Sequence, residues 1–258
     1  METIKSKDNS LIKKVVLLME NKKERTKSGQ FVIEGLRICK DAVLNGIKIH
    51  TVLMTEEFFN KHNDEANLLI NSSNEFKFIS QEVCKKLSGT VSSQGVFCIC
   101  DIVKNNTANL SGKFIALENL QDPGNIGTII RTAEAFGVNG ICLIGNCVDI
   151  YSPKVLRSTM GTIFNIPIYF YDDIDIAKHE FIKNNIKCYG AVLNNKAKKL
   201  SNISFENNCV CLIGNEANGL TDAAMDICDE FVYIEMNGKA ESLNAAVAAS
   251  VIMWEMIK

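Results

Sequence analysis

Three short runs bring amide, carboxylate and guanidinium side chains to the ends of apolar stretches, and in the third of them the polar groups lie on an otherwise apolar helix, where they need a reason. The first, Asn125-Ile126-Gly127-Thr128-Ile129-Ile130-Arg131, combines an amide with a guanidinium. An arginine there is either a surface residue or one jaw holding an anion, since its planar fork matches phosphate and carboxylate. The second, Leu212-Ile213-Gly214-Asn215-Glu216-Ala217-Asn218-Gly219-Leu220, puts a glycine at the end of an apolar run, so that backbone can approach a ligand closely. Gly219 reads equally well as turn punctuation. The third, Ile234-Glu235-Met236-Asn237-Gly238-Lys239-Ala240-Glu241-Ser242-Leu243-Asn244, carries Ser242 and Asn244 into the start of an apolar helix. A helix cap accounts for Ser242 or Glu241 but not for Asn244, which must face a cleft or be paired.

Each run sits where a strand hands over to a loop or helix. Asp122-Pro123-Gly124-Asn125 has turn chemistry, with Asn125 the expected N-cap of a helix reaching Phe136 and stopped by Gly137. Arg131 would then lie within about two turns of the helix start. Apolar strands are expected at 114–120, 140–145, 166–171, 188–193, 210–214 and 231–236, separated by segments of helical length. Consecutive apolar positions, as in Cys209-Val210-Cys211-Leu212-Ile213, suit strands covered on both faces. The expectation is an α/β fold with a mostly parallel, doubly wound sheet, its last helix starting after Gly238. Neither a GxGxxG run after a strand nor a GxxxxGK[ST] run occurs, so the usual dinucleotide and P-loop fingerprints are missing.

The 258 residues, 47% hydrophobic and 22% charged, are enough for one large or two modest globular domains. A polar, small-residue stretch at 105–112 separates an expected small α/β domain, 1–104, from the regular alternation of 113–258. Charge is unequal between them. Lys+Arg exceed Asp+Glu by 16 to 13 in residues 1–104 and fall short by 12 to 17 beyond. Within residues 1–27 the balance is eight to four, which suits a phosphate-facing segment or a solvated helix face. Ten cysteines without any CxxC pair read as small buried hydrophobes in a reducing cytoplasm. His50, His62 and His179 lie far from a cysteine cluster, so no metal is expected. The apolar run 245–254 is too short to span a bilayer, and no membrane association is expected.

Taken in order, the three runs resemble the signatures of the SpoU/TrmH branch of the SPOUT RNA methyltransferases, over residues 113–258. Ser152-Pro153-Lys154-Val155-Leu156-Arg157-Ser158-Thr159-Met160-Gly161 is similar to that family's middle segment. Glu235 stands where the family usually has proline, loosening the turn before Met236 and adding a negative charge near the expected cofactor. Upstream, Ser6-Lys7-Asp8-Asn9 and Phe31-Val32-Ile33-Glu34-Gly35-Leu36-Arg37 look like the RNA substrate-binding domain that precedes the methylase.

The resemblance implies a trefoil knot and methyl transfer from S-adenosylmethionine to a ribose 2′-OH of structured RNA, with ribosomal RNA favoured over transfer RNA. It implies Arg131 as the catalytic residue, placing the hydroxyl and a phosphate more than abstracting a proton, with Asn125, Glu216 and Asn244 as polar partners. The cofactor would lie along Leu193, Gly214, Ile234, Met236, Ser242 and Leu243. Lys7, Arg25, Lys27, Arg37 and Arg157 would face RNA. A homodimer through the methylase domain is implied as well: Val247, Val251, Trp254 and Ile257 form one apolar stripe on the last helix, and Leu243, Ala246, Ile252 and Met253 a second. The rivals are a transfer RNA methyltransferase, an RNA-binding protein of the same fold without turnover, and an enzyme using another nucleotide cofactor.

Overall fold

A computed structural model of the chain describes residues 3–89, 93–103 and 110–258. Along the chain the elements are β1 (Thr3–Ile4), α1 (Ser10–Glu20), α2 (Lys22–Ser28), β2 (Gln30–Glu34), α3 (Leu36–Leu44), β3 (Ile49–Met54), α4 (Glu56–Lys61), α5 (Asn63–Asn71), β4 (Ser73–Ile79), α6 (Gln81–Leu87) and β5 (Val96–Asp101). There follow β6 (Lys113–Glu118), α7 (Pro123–Phe136), β7 (Gly140–Ile144), α8 (Pro153–Thr159), β8 (Ile168–Tyr171), α9 (Ile174–Lys183), β9 (Lys187–Ala191), β10 (Lys198–Lys199), β11 (Cys209–Ile213), α10 (Asp222–Asp226), β12 (Glu230–Tyr233) and α11 (Ala245–Ile257). Two compact units result, one of residues 1–104 with 149–165, the other of residues 105–148 with 166–258.

The first unit holds a five-stranded sheet, β1-β4-β3-β5-β2, in which β5 runs antiparallel to both its neighbours. Asn9 caps α1 by accepting the Leu11 N–H, and Ile12, Val15 and Leu18 follow at helical spacing. They pack with Val83 and Leu87 of α6 over Val32, Leu53, Phe97 and Ile99 of the sheet. Residues 149–165, expected with the methylase half, pack into this unit: the Tyr151 ring lies 4.6 Å from that of Phe31.

Arg25 holds the segment there. Only 4% exposed, it donates from Nη1 to the Leu18 and Met19 carbonyls and from Nε to Asp149 at 2.7 Å, with its Nη2 2.6 Å from the same carboxylate. The RNA-facing role expected of Arg25 is therefore corrected. Its guanidinium is spent on α1 and Asp149, a partner far along the chain that local charge counting cannot see.

The second unit is a seven-stranded sheet, β10-β12-β9-β11-β6-β7-β8, parallel in every pairing. Its central strands are buried along their whole length because helices lie on both faces. Phe114, Ala116, Cys142, Val210 and Leu212 pack on one side against Ala177 and Phe181 of α9 and Ala224 of α10. On the other side α11 lies on α7, β6 and β11, and the Lys113 ammonium donates to the Met256 carbonyl. Of the expected linker, residues 105–109 lie outside the described residues. Its far end is anchored: Leu110 is buried, and the N–H groups of Leu110 and Gly112 donate to Asn184 and Asn208.

All ten cysteines are free thiols, eight of them buried. Burial pushes up the thiols of Cys209, to about 11, and of Cys188 and Cys228, to about 12, so they pack as hydrophobes rather than react. Among the described residues no helix is long and apolar enough to cross a membrane.

Candidate active site

The order of the parallel strands places the loops after β6, β11 and β12 at one edge of the sheet, the carboxyl edge, where open α/β sheets bind ligands. The first loop differs from expectation. Helix α7 begins at Pro123, and its N-cap is Asp122, whose carboxylate accepts the Asn125 N–H at 2.8 Å. Asp-Pro outcompetes Asn125 as a start signal, because proline at the first helical position has no N–H to leave unsatisfied. The Asn125 side chain is thereby released from capping, and Arg131 lies more than two turns into the helix.

The second loop is a tight hairpin in which Asn215 and Gly219 exchange backbone hydrogen bonds of 3.0 and 2.9 Å. Gly214 is obligatory: a Cβ there would sit 2.0 Å from the Gly219 carbonyl carbon. This closure turns Glu216 toward α7. The Asn125 amide donates to Glu216 Oε1 at 2.9 Å, and the Asp122 N–H reaches the same oxygen at 3.4 Å. Burial pushes the Glu216 carboxyl up, but hydrogen bonds from Asn125 and from the backbone of Glu216, Asp122 and Gln121 outweigh it, leaving the group below its ordinary value.

The third loop supplies Asn244. Helix α11 starts at Ala245, later than expected, and Asn244 is its N-cap, with Oδ1 accepting the Ala246 and Val247 N–H groups at 2.9 and 3.4 Å. Capping therefore does account for Asn244, but only for its oxygen. Its amide nitrogen donates to Asn125 Oδ1 at 2.9 Å. Glu216, Asn125 and Asn244, one from each run, thus form a continuous hydrogen-bonded chain centred on a buried Asn125. Asn244→Ala is expected to cost about 2–3 kcal/mol, combining a lost cap with a buried carbonyl left without its donor. Asn244→Asp keeps the cap but cannot donate to Asn125, so denaturant unfolding and turnover should separate: stability recovers only the share owed to the cap, and activity does not recover.

Two supporting residues escaped sequence reading. Glu118, 4% exposed at the end of β6, accepts the Thr221 hydroxyl at 2.6 Å and the Thr221 N–H at 2.9 Å, pinning the far end of the hairpin. Asn119, at φ 53°, accepts from the Asn215 amide through its carbonyl and from the Asn146 N–H through its side chain. The only signal for either was a polar pair closing an apolar strand.

Arg131 is exposed on α7 and makes no ion pair or hydrogen bond through its guanidinium among the described residues. Of the expected cofactor residues, Leu193 is 65% exposed just past β9, Gly214 closes β11, and Ile234, Met236 and Leu243 are half-buried beyond β12, with Ser242 exposed. Among the described residues, the N–H groups of 236–243 donate to no backbone carbonyl. An apolar ledge beside free backbone donors and acceptors fits a nucleoside with a thioether or sulfonium tail. Glu235 pairs with the Lys199 ammonium, so its charge is met locally. In the other unit, Lys7, Lys27, Arg37 and Arg157 are exposed.

Comparison with known proteins fits this arrangement. The model of the SpoU rRNA Methylase family matches residues 112–254, and that of the MRM3-like substrate binding domain matches residues 9–98. The chain is 29% identical over 256 residues to the 23S rRNA (guanosine(2553)-2'-O)-methyltransferase RlmP of Bacillus subtilis, covering 99% of both. It is 31% identical over 255 residues to an uncharacterized tRNA/rRNA methyltransferase of Synechocystis, covering 98% of this chain and 92% of that one. The crystal structure of an AdoMet-bound rRNA methyltransferase from Sinorhizobium meliloti superposes with a TM-score of 0.87 at 27% identity, over 99% of this chain and 97% of that one.

Proposed function

The chain belongs to the SpoU rRNA methylase family, and on that premise we propose that it methylates a ribose 2′-OH of structured RNA, ribosomal RNA in particular, with S-adenosylmethionine as donor. The hydrogen-bonded chain Glu216–Asn125–Asn244 carries the reading, because it ties the three runs together at the carboxyl edge of a parallel sheet. When bound, the donor supplies a methyl group already activated on a sulfonium. The protein has to align the attacking oxygen with it and accommodate loss of the hydroxyl proton. Arg131, exposed and free of internal partners among the described residues, has a planar fork suited to holding a phosphate and orienting the hydroxyl. Glu216 stays ionised and fixes the Asn125 amide, leaving a rigid polar wall beside the reacting groups. The side chains of Leu193, Met236 and Leu243 would cover the nucleoside of the donor, and the open backbone of 236–243 would hold its polar atoms.

Tritium transfer from methyl-labelled donor to unmodified ribosomal RNA tests this. Label recovered in alkali-resistant dinucleotides is the expected result, since a 2′-O-methyl blocks hydrolysis. Label on transfer RNA alone would move the substrate, and RNA binding without label would leave a binding protein of the same fold.

The homodimer and the family's knot belong to the same proposal. Helix α11 buries Ala246, Ile252 and Met253 yet leaves Val247 at 48%, Val251 at 37%, Trp254 at 56% and Ile257 at 38% exposure, an apolar stripe suited to a second copy. Sedimentation should give twice the monomer's 28.6 kDa, and Trp254→Glu should give the monomer with activity lost. A fully active wild-type monomer would defeat this. Ten free cysteines suit a reducing cytoplasm.

A further inference from the structure

The first unit contains a cavity of about 340 Å³ on which the function proposed above makes no demand. Val32, Ile38, Leu156 and Met160 line it with apolar surface, and Arg37 and Arg157 stand on its lining as well. Its size falls within the roughly 300–1,000 Å³ of small-molecule sites. Both arginines are exposed, and neither guanidinium has a hydrogen bond or ion pair among the described residues. Among the described residues the one carboxylate lining the cavity is committed elsewhere: Glu34 accepts from the Ser88 and Ser93 hydroxyls at 2.7 and 3.0 Å and from the Gly89 N–H at 3.2 Å.

Met160 adds a second observation. Its φ is 54°, a left-handed backbone that costs a non-glycine residue about 1–2 kcal/mol. The neighbouring Gly161, at φ 94°, packs so tightly that a Cβ would lie 2.1 Å from the Asp41 carboxylate. The turn is thus held where it is, with Met160 45% exposed and on the lining of the cavity. A thioether is an adaptable, polarizable surface for an aromatic face.

We infer that this cavity receives one unpaired nucleotide of the RNA strand, its base against Met160 and Leu156 and its flanking phosphates on Arg37 and Arg157. Apolar lining between two uncommitted guanidinium groups matches a base between phosphates, and RNA is read in sequence chiefly through unstacked bases. The inference rests on the RNA substrate proposed above and adds the place where the strand is gripped.

The test uses the full-length protein with a fluorescein-labelled single-stranded RNA oligonucleotide and the duplex of the same sequence, by anisotropy across a salt series. The single strand should bind more tightly than the duplex. Arg37→Ala and Arg157→Ala should each weaken it about tenfold and reduce the salt slope by about one, as loss of a phosphate contact does. Met160→Ala should weaken it about fivefold with the slope unchanged, because it removes a base contact and no charge. Donor binding, followed by calorimetry, should be the same in all variants. Wild-type affinity in the three variants, or equal affinity for strand and duplex, overturns the inference. If the wild type still transfers methyl to ribosomal RNA in that case, only the pocket falls; a wild type that binds no RNA removes the pocket and the proposed function together.

Discussion

Replacing Arg131 by alanine is expected to lower the rate of methyl transfer by about 10²–10³-fold while leaving the fold and donor affinity close to wild type. The fold should hold because Arg131 is exposed on α7 and has no internal ion pair among the described residues to lose. Exposed helix positions of this kind shift stability by about 0.5 kcal/mol or less. Donor affinity should hold because the expected cofactor surface, from Leu193 through Gly214 to Leu243, lies on β9, β11, β12 and their loops rather than on α7. Arg131→Lys keeps the charge but loses the planar fork, so an intermediate rate is expected if orientation of a phosphate matters. Single-turnover kinetics with saturating donor, beside calorimetry for donor binding, decide the matter. Turnover near wild type in Arg131→Ala removes the residue from catalysis, and loss of donor binding moves it into the cofactor site.

Arg25→Ala should produce the largest stability loss of any single substitution considered, about 3–5 kcal/mol. It would leave Asp149, with its side chain only 14% exposed, as a carboxylate without its cation, and would strip the donors from the Leu18 and Met19 carbonyls. Exchanging both partners for apolar residues of similar volume, Arg25→Met with Asp149→Leu, should restore much of the loss, since no unpaired charge then remains. Denaturant unfolding of the full chain measures both. Unchanged stability with reduced RNA affinity would return Arg25 to the RNA-facing role suggested by local charge. The same contact bears on truncation: removing residues 1–104 takes away what buries Tyr151, Val155 and Leu156, so a methylase piece cut there exposes residues 149–165.

Much of the second unit was legible in residue order alone. Continuous apolar runs flanked by turn residues gave six strands of its sheet, because strands covered on both faces must be apolar at consecutive positions. Asn244 stood out because a polar group at the start of an apolar helix has to be satisfied, whereas Glu216 and the joint role of Asn125, Glu216 and Asn244 came from the resemblance to the SpoU/TrmH signatures. Helix starts were less legible. Asp122, Asn125, Ser242 and Asn244 are all competent caps, and which one serves is decided by what each side chain can reach.

What the sequence determined by itself is therefore the class of fold, the succession of strands along the chain and the polar character of the segments that follow them, all consequences of short-range patterning. Tertiary structure decided pairings that span many residues. Glu216 meets Asn125 and Asn125 meets Asn244 only because β6 and β11 are neighbours in the sheet and α11 folds back onto α7. Arg25, identical on paper to any lysine-rich surface position, is buried because Asp149 arrives beside it from a distant part of the chain. Local composition carries propensity and charge, whereas burial and partner choice depend on which distant segments share a core, and that is settled only when the chain closes on itself.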